Sequence, residues 1–247
     1  MCNCSDWDMI LKDYIHRLIS PDKRDTFEST TMLSSKIIDI ANINKSSTVI
    51  DMGAGWGDLT LEIARLACKV IAIEPSGKNI KMAKQRAIEN KICNIEFVKG
   101  RFEEPNCCVK ADIAISSLVF HQVPFKKRES AIASIASLLK DGGTFVLCDT
   151  LMLFDPFSEP KKFNQVYRYI LPRTLPKNIY EKQVKPYLEN DKEHIYTWDD
   201  MKKYTPKNNW FYTQNELKDI FDTAGLKIID KEILTPFFGI VKAKLWS

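Results

Sequence analysis

The sequence has few of the residues from which metal sites are usually built. It has 247 residues, with only three histidines and with seven cysteines that form no CxxC pair. A structural zinc site needs about four closely spaced Cys or His ligands, so we predict no metal site. No secretory leader is visible at the start of the sequence, so we expect reduced thiols and a cytoplasmic protein.

Long apolar runs and a strong excess of charge are also missing. No stretch approaches the ~20 consecutive apolar residues that cross a bilayer, so we expect no membrane span. The formal net charge of +4 is far from the dense Lys/Arg field of a dedicated nucleic-acid-binding protein, which argues against a nucleic-acid partner. The sequence contains no internal repeat, and nothing in it fixes the oligomeric state.

What the chain does contain is an alternation of strand and helix patterns. Short β-branched runs predict strands at residues 47–51, 69–74, 94–98, 111–116, 144–149, 226–234 and 236–246. Helical spacing of apolar residues predicts helices at 30–41, 59–67, 76–90 and 126–139. Alternating strands and helices indicate βαβ units. We therefore predict an α/β fold with a doubly wound, mostly parallel, seven-stranded Rossmann-like sheet that ends in an antiparallel hairpin.

Residues 151–212 break this pattern. They contain 13 of the 26 aromatic residues and six of the 11 prolines, more than a solvated linker carries. We predict an inserted, mostly helical cap that divides the core into residues 1–150, with N-terminal helices, and residues 213–247. Tyr167, Trp198 and Trp210 are candidate substrate contacts. The alternative is that the aromatic residues form the cap's own core.

A glycine-rich loop follows the first predicted core strand. Gly53, Gly55 and Gly57 form GxGxG, and Asp51 ends the strand beside them. A dinucleotide fingerprint, GxGxxG, would need glycine where the chain has Asp58. A carboxylate beside the loop repels a pyrophosphate but suits a ligand with an ammonium and a sulfonium, whose own carboxylate the loop amides could bind. S-adenosylmethionine (SAM) has this charge pattern.

Glu74 provides a second indication of a nucleoside ligand. It ends the next predicted strand, 21 residues after Gly53. In a doubly wound sheet both positions lie at the same edge, where a carboxylate can accept hydrogen bonds from two ribose hydroxyls.

Several motifs together resemble the class I SAM-dependent methyltransferases, in particular the branch of small-molecule enzymes related to ubiquinone and menaquinone methyltransferases. The motifs are VIDMGAGWG, IAIEPS, FVKGRFEE, ADIAISSLVFHQV and LLKDGGTFVLCD, and ELKDIFDTAGLKIID near the C-terminus fits as well. The resemblance covers residues 49–149. It implies a SAM-binding core and a methyl transfer, with a small-molecule acceptor as the partner.

The resemblance also implies that the loop after the third core strand holds the adenine. The position after Gly100 is usually acidic in the family, where it accepts from the adenine amino group. Here it is Arg101, which has no acceptor. Either Glu103 takes this role, or the backbone N–H of Phe102 and packing hold the adenine.

The remaining candidate residues lie around the methionine end of the cofactor. The resemblance implies that Ser116 and Ser117 face the methionine and the methyl group, and that Ala54 and Pro75 adjoin the cofactor. His121 follows the same strand and is the candidate general base. A structural hydrogen bond within the loop is the alternative, and the pattern favours it because relatives with unrelated reactions carry a histidine here.

Two other functions remain open. Residues 32–104 also resemble the rRNA adenine dimethylases, so an rRNA or tRNA methyltransferase is the alternative. The stretch SSLV at residues 116–119 lacks the amide and the stacking aromatic with which those enzymes grip a base. A non-catalytic SAM-binding partner protein is a remote alternative.

Overall fold

The computed structural model describes residues 4–19 and 25–246. The strands of this part of the chain are β1 (Ile15–Ile19), β2 (Asp25–Ser29), β3 (Thr48–Met52), β4 (Lys69–Glu74), β5 (Ile95–Lys99), β6 (Ala111–Ser117), β7 (Leu139–Thr150), β8 (Leu226–Thr235) and β9 (Phe238–Leu245). The last seven form one sheet in the order β5-β4-β3-β6-β7-β9-β8.

The strands from β3 to β7 are mutually parallel, whereas β9 pairs antiparallel with both β7 and β8. This confirms the predicted mostly parallel seven-stranded sheet with a C-terminal antiparallel hairpin. The chain winds outward in one direction from β3 to β5 and in the other from β6 to β7. The switch point between β3 and β6 is where open α/β sheets bind ligands.

Helices cover both faces of the sheet. They are α1 (Cys4–Tyr14), α2 (Thr31–Ala41), α3 (Asp58–Leu66), α4 (Gly77–Glu89), α5 (Arg128–Leu138) and, after the cap, α10 (Gln214–Thr223). Local signals fix several starts. Ser76 caps α4 by accepting from the backbone N–H of Asn79, and Thr213 forms a capping box with Glu216 at the start of α10.

The sheet core is apolar on both faces. Central residues such as Ile50, Ile71 and Phe145 are fully buried. A strand buried on both faces reads as a continuous apolar run, which is why the parallel strands were visible in the sequence.

The segment between β7 and α10 forms a helical cap. Its helices are α6 (Pro160–Thr174), α7 (Lys177–Ile179), α8 (Lys185–Leu188) and α9 (Trp198–Tyr204). Tyr167 lies at its centre, where its hydroxyl bonds to the hydroxyls of Tyr187 (2.9 Å) and Thr205 (2.8 Å). The aromatic residues of the cap thus pack against one another, and their cluster is continuous with the core on one face of the sheet.

The N-terminal region contains two strands as well as helices. Between α1 and α2 the strands β1 and β2 pair antiparallel, Ile15 opposite Ser29 and Ile19 opposite Asp25. No alternating apolar pattern predicts these strands, because they are short and carry charged residues. No helix in the described ranges is long and apolar enough to cross a bilayer.

Candidate active site

The glycine loop turns sharply between β3 and α3. Gly53 has φ +78°, and a Cβ added there would lie 2.7 Å from Cγ1 of Val119. A side chain at this position would therefore be strained by the backbone and would collide with the loop after β6. Glycine here lets the loop lie against the end of β6, at the switch point of the sheet.

Glu74, at the end of β4, is held rigidly against this loop. Its Oε2 accepts from the backbone N–H of Gly55 (3.1 Å), and its Oε1 accepts from the backbone N–H of Ser76 (2.9 Å) and from Asn79 Nδ2 (3.1 Å). Three donors thus fix a carboxylate that is 7% exposed. Its position at the carboxyl end of β4 fits the predicted role toward ribose hydroxyls.

Asp51 lies beneath the loop, near the end of β3. It is 2% exposed, and its Oδ2 accepts from the hydroxyl of Thr60. Burial raises the pKa of Asp51 to about 6; the Thr60 hydrogen bond opposes this and the Glu74 charge adds to it. A nearby cation would lower this pKa again, as expected of a residue that binds a positively charged ligand.

Four of the loop amides already have partners within the protein. The N–H groups of Gly53 (2.8 Å) and Ala54 (3.1 Å) both donate to the carbonyl of Ile73, and that of Gly57 donates to the carbonyl of Ala54 (2.9 Å). The N–H of Gly55 donates to Glu74. Binding of the ligand's carboxylate by the loop amides stays a prediction, and it falls to the loop N–H groups outside these four.

The end of β6 does fit a bound methionine chain. The Ser116 hydroxyl is fully buried and has no hydrogen-bond partner among the described residues, and such an orphaned group points to a missing ligand. The Ser117 hydroxyl instead bonds to that of Ser29 (2.9 Å). Pro75 is exposed beyond Glu74. With two carboxylates and an unpaired hydroxyl, this edge of the sheet fits SAM.

The predicted adenine loop is folded tightly on itself. Arg101 and Glu104 exchange backbone hydrogen bonds (3.0 and 3.2 Å). Phe102 is buried against Phe120, with ring centroids 5.6 Å apart. The Glu103 carboxylate pairs with Lys127 (3.0 Å), which lowers its availability for the adenine amino group. Packing and backbone groups remain the better candidates for holding the base.

His121 forms a dyad with a residue that sequence reasoning missed. Its Nδ1 lies 2.7 Å from Oδ1 of Asp149, and its backbone N–H donates to Oδ2 of the same carboxylate (2.9 Å). Asp149 is fully buried near the end of β7. Burial disfavours the imidazolium, but the Asp149 carboxylate outweighs it and raises the pKa of His121 above its usual value.

This hydrogen bond fixes the useful tautomer of the ring. An ionised carboxylate can only accept, so Nδ1 carries a proton and Nε2 has the lone pair in the neutral ring. In the part of the chain that the structure describes, Nε2 has no hydrogen-bond partner. One signal in the sequence could have identified Asp149. It is an acidic residue near the end of β7, and β7 is the neighbour of β6, the strand that precedes His121.

A pocket opens beside His121, between the sheet edge and the cap. Its enclosed volume is about 40 Å³, and it is partly open to solvent. It is lined by His121, Thr150, Ile170, Thr174, Leu175, Asn209, Trp210, Phe211 and Tyr212. Most of these side chains are apolar or aromatic, so the pocket suits a small organic molecule.

Of the three aromatic residues predicted to contact substrate, only Trp210 lines this pocket. Tyr167 and Trp198 are 0% and 2% exposed and pack in the cap's interior, where Trp198 meets Phe163 edge to face. Both rings belong to the apolar cluster that the cap shares with the sheet.

Arg128 positions the pocket wall and was not predicted. It is 1% exposed, and its guanidinium donates to the carbonyls of Trp210 (2.9 Å) and Val123 (3.3 Å). It therefore joins the end of the cap to the loop that follows His121. Its sequence position, in a basic run, gives no hint of burial.

Among the described residues no group of His, Cys, Asp and Glu side chains could hold a metal ion.

Comparison with known sequences agrees with this geometry. The sequence model of the methyltransferase-domain family matches residues 43–225. An uncharacterized methyltransferase of Alkaliphilus oremlandii strain OhILAs is 27% identical over 147 residues, which are 59% of this chain and 66% of that protein. A protein assigned as ribosomal RNA small subunit methyltransferase A in Methanosphaera stadtmanae is 43% identical, but over only 63 residues, 26% of this chain and 23% of that protein.

Solved structures share the fold. A SAM-dependent methyltransferase from Aquifex aeolicus is 14% identical, with a TM-score of 0.57 over 99% of this chain and 100% of that one. The 1,6-didemethyltoxoflavin-N1-methyltransferase of Burkholderia thailandensis, with bound S-adenosylhomocysteine, is 13% identical, with a TM-score of 0.54 over 87% of this chain and 76% of that one.

The chain spans about half to two thirds of the length of four curated methyltransferases to which it is similar. The ubiquinone and menaquinone branch stays a prediction. The family match, the seven-stranded sheet and the carboxylates at its switch point lead to one conclusion: the chain belongs to the class I SAM-dependent methyltransferases, and SAM is its cofactor.

Proposed function

We propose that this protein transfers the methyl group of SAM to a small-molecule acceptor that binds between His121 and the cap. The observation that carries the proposal is the aromatic pocket beside His121. It lies next to the end of β6, where the methionine end of SAM is expected. Its apolar and aromatic walls suit a compact organic molecule better than a nucleic-acid strand.

In this proposal His121 acts as the general base. When bound, SAM supplies a methyl group on a sulfonium, which is already electrophilic, so the protein must align the acceptor and exclude water. His121 Nε2 accepts the acceptor's O–H or N–H proton, and Asp149 holds the ring through Nδ1. The buried Asp149 carboxylate stabilises the imidazolium that results.

The cap supplies the water exclusion. Phe211 and Tyr212 line the pocket beside Trp210, and Trp210 is fixed by a hydrogen bond from its Nε1 to the carbonyl of Thr205 (2.9 Å). The Arg128 guanidinium, bonded to the Trp210 carbonyl, holds this wall against the core. Removing water strengthens the electrostatic interactions within the pocket.

The first test is the choice of cofactor. We expect SAM and S-adenosylhomocysteine to bind and NAD not to bind, because Asp51 faces the loop and Asp58 replaces the third glycine of a dinucleotide site. Isothermal titration of each ligand measures this. Tighter binding of NAD than of either SAM or S-adenosylhomocysteine would contradict the assignment.

Turnover then identifies the acceptor class. Methyl transfer from labelled SAM is measured against a metabolite extract and, in parallel, against an RNA pool. We expect labelled product in the extract. Label incorporated only into RNA would overturn the small-molecule acceptor while leaving the SAM site intact.

Once an acceptor is known, Trp210→Ala should raise its KM about tenfold, since the pocket loses apolar contact area. The dissociation constant of SAM should stay within about threefold, because Trp210 lies on the cap side. Trp246→Ala, which removes a ring exposed on the far hairpin, is the matched control. Trp210→Ala that binds acceptor normally but loses SAM would place the cap in the cofactor site.

A further inference from the structure

The β1–β2 hairpin lies over the cofactor edge of the sheet. The hydroxyl of Ser29, the last residue of β2, bonds to that of Ser117 at the end of β6 (2.9 Å). Strand β2 also contacts α2 and α3. These contacts seat the hairpin beside the glycine loop, although it comes from a part of the chain that precedes the core.

Glu28, next to Ser29, points its carboxylate at the loop. A Cβ added to Gly55 would lie 3.4 Å from Oε1 of Glu28, so the carboxylate contacts the face of the loop that the missing side chain leaves open. Of the groups that the structure describes, none donates a hydrogen bond to it. A partly buried carboxylate without a donor is costly.

The charges around Glu28 increase this cost. Burial, followed by the nearby charges of Asp58, Asp51 and Glu74, raises the pKa of Glu28 to about 8, while Arg86 opposes the shift. Arg86 already pairs with Asp58. The carboxylates at the cofactor loop therefore lack a free cation among the described residues, and SAM carries two positive groups and one negative group.

We propose that Glu28 is a cofactor-binding residue that pairs with the positive charge of SAM. The inference rests on the proposed SAM site at the glycine loop. Two groups of SAM could supply the charge, its ammonium and its sulfonium. S-adenosylhomocysteine keeps the first and lacks the second, so the two ligands distinguish the sources.

The experiment is calorimetric titration of wild type, Glu28→Gln and Glu96→Gln with both ligands. Glu96, on β5, is the matched control, since Glu96→Gln removes the same charge from an exposed ion pair with Lys69 on β4. Near pH 7.5 we expect Glu28→Gln to weaken SAM binding about tenfold, because one opposite charge close to the ligand is lost. We expect Glu96→Gln to change it less than twofold.

The ligand series reports which cation is bound. Equal weakening of SAM and S-adenosylhomocysteine supports the ammonium, and weakening of SAM alone supports the sulfonium. Unchanged or tighter binding of SAM to a folded Glu28→Gln protein overturns the inference, because Glu28 would then be a bystander or an obstacle. Failure of the wild type to bind SAM would instead refute the proposed site.

Proton release gives a second readout. Burial and the neighbouring carboxylates raise the pKa of Glu28 to about 8, so below that pH its pairing with a cation should be coupled to the release of a proton. Between about pH 6 and 7.5, below the titration of the ligand's own amino group, SAM affinity should therefore rise with pH more steeply in wild type than in Glu28→Gln. Titrations in two buffers of different ionisation heat should show more protons released by wild type. Equal release would also overturn the inference.

Discussion

His121→Ala should lower the turnover number about 10²-fold or more while the dissociation constant of SAM stays unchanged. This is the usual contribution of a positioned general base. The dyad supports it, because Asp149 fixes the tautomer that presents Nε2 and the pocket brings an acceptor to the same ring. Steady-state turnover with the identified acceptor, together with SAM titration, measures the two quantities separately.

His121→Asn is the matched variant for this experiment. The amide N–H₂ of the asparagine can still donate a hydrogen bond to Asp149. The asparagine has no basic nitrogen that could replace Nε2 of the histidine. Loss of activity in both variants supports a base. Activity within tenfold of wild type in His121→Asn would show that the histidine only ties the loop to β7.

The pH profile provides a further test of the dyad. The neutral imidazole is the active form, so turnover should rise with pH through the pKa of His121 and level off above it. Burial and Arg128 lower this pKa, and Asp149 outweighs them. Asp149→Asn should therefore move the rising limb to lower pH and also reduce the plateau, because an amide favours the wrong tautomer. If the rising part of the pH profile lies at the same pH in Asp149→Asn as in wild type, a group other than His121 controls turnover.

Local signals account for most of the fold that was predicted. The β-branched run of β4 matched its predicted limits, and the helix predicted at residues 76–90 is present as α4, capped by Ser76. These features depend on residues within one turn or one strand. Long, strongly periodic segments of this kind are the most readable part of a sequence.

Features that depend on contacts distant in sequence were not predictable. Glu28 faces Gly55 only because β2 docks on the sheet edge, and Asp149 meets His121 only because β6 and β7 are neighbours. Tyr167 enters the cap's core through partners 20 and 38 residues away. The composition predicted an aromatic cap. Which of its aromatic residues are buried and which line the pocket depends on packing, which the composition does not show.

The places of Asp51 and Glu74 in the fold were predictable from the sequence, whereas the hydrogen bonds of the loop amides were not. Asp51 and Glu74 lie where the strand ends placed them, since the edge of a parallel sheet follows from strand order alone. Whether a loop amide is free depends on the carbonyl opposite it. Ile73 provides that carbonyl for Gly53 and Ala54. This contact depends on the register between β3 and β4, which the residue pattern of one strand does not reveal.

Glu74→Ala should weaken SAM binding by roughly 1.5–3 kcal/mol, about 10- to 150-fold, because charge-assisted hydrogen bonds to the ribose are lost. The structure adds a second cost. The same carboxylate holds the N–H groups of Gly55 and Ser76 and the amide of Asn79, so its removal also loosens the loop. We expect the upper half of this range, measured by titration calorimetry on protein whose fold is checked by circular dichroism.

A ligand cycle separates the two costs. Adenosine and 2′,3′-dideoxyadenosine, competed against S-adenosylhomocysteine, differ only in the hydroxyls that Glu74 should bind. In wild type, adenosine should bind more tightly. In Glu74→Ala that preference should disappear, since the loss of the carboxylate and the loss of the hydroxyls remove the same interaction and cannot add. A preference that survives in the variant would mean that Glu74 only shapes the loop and that the ribose is bound by another residue.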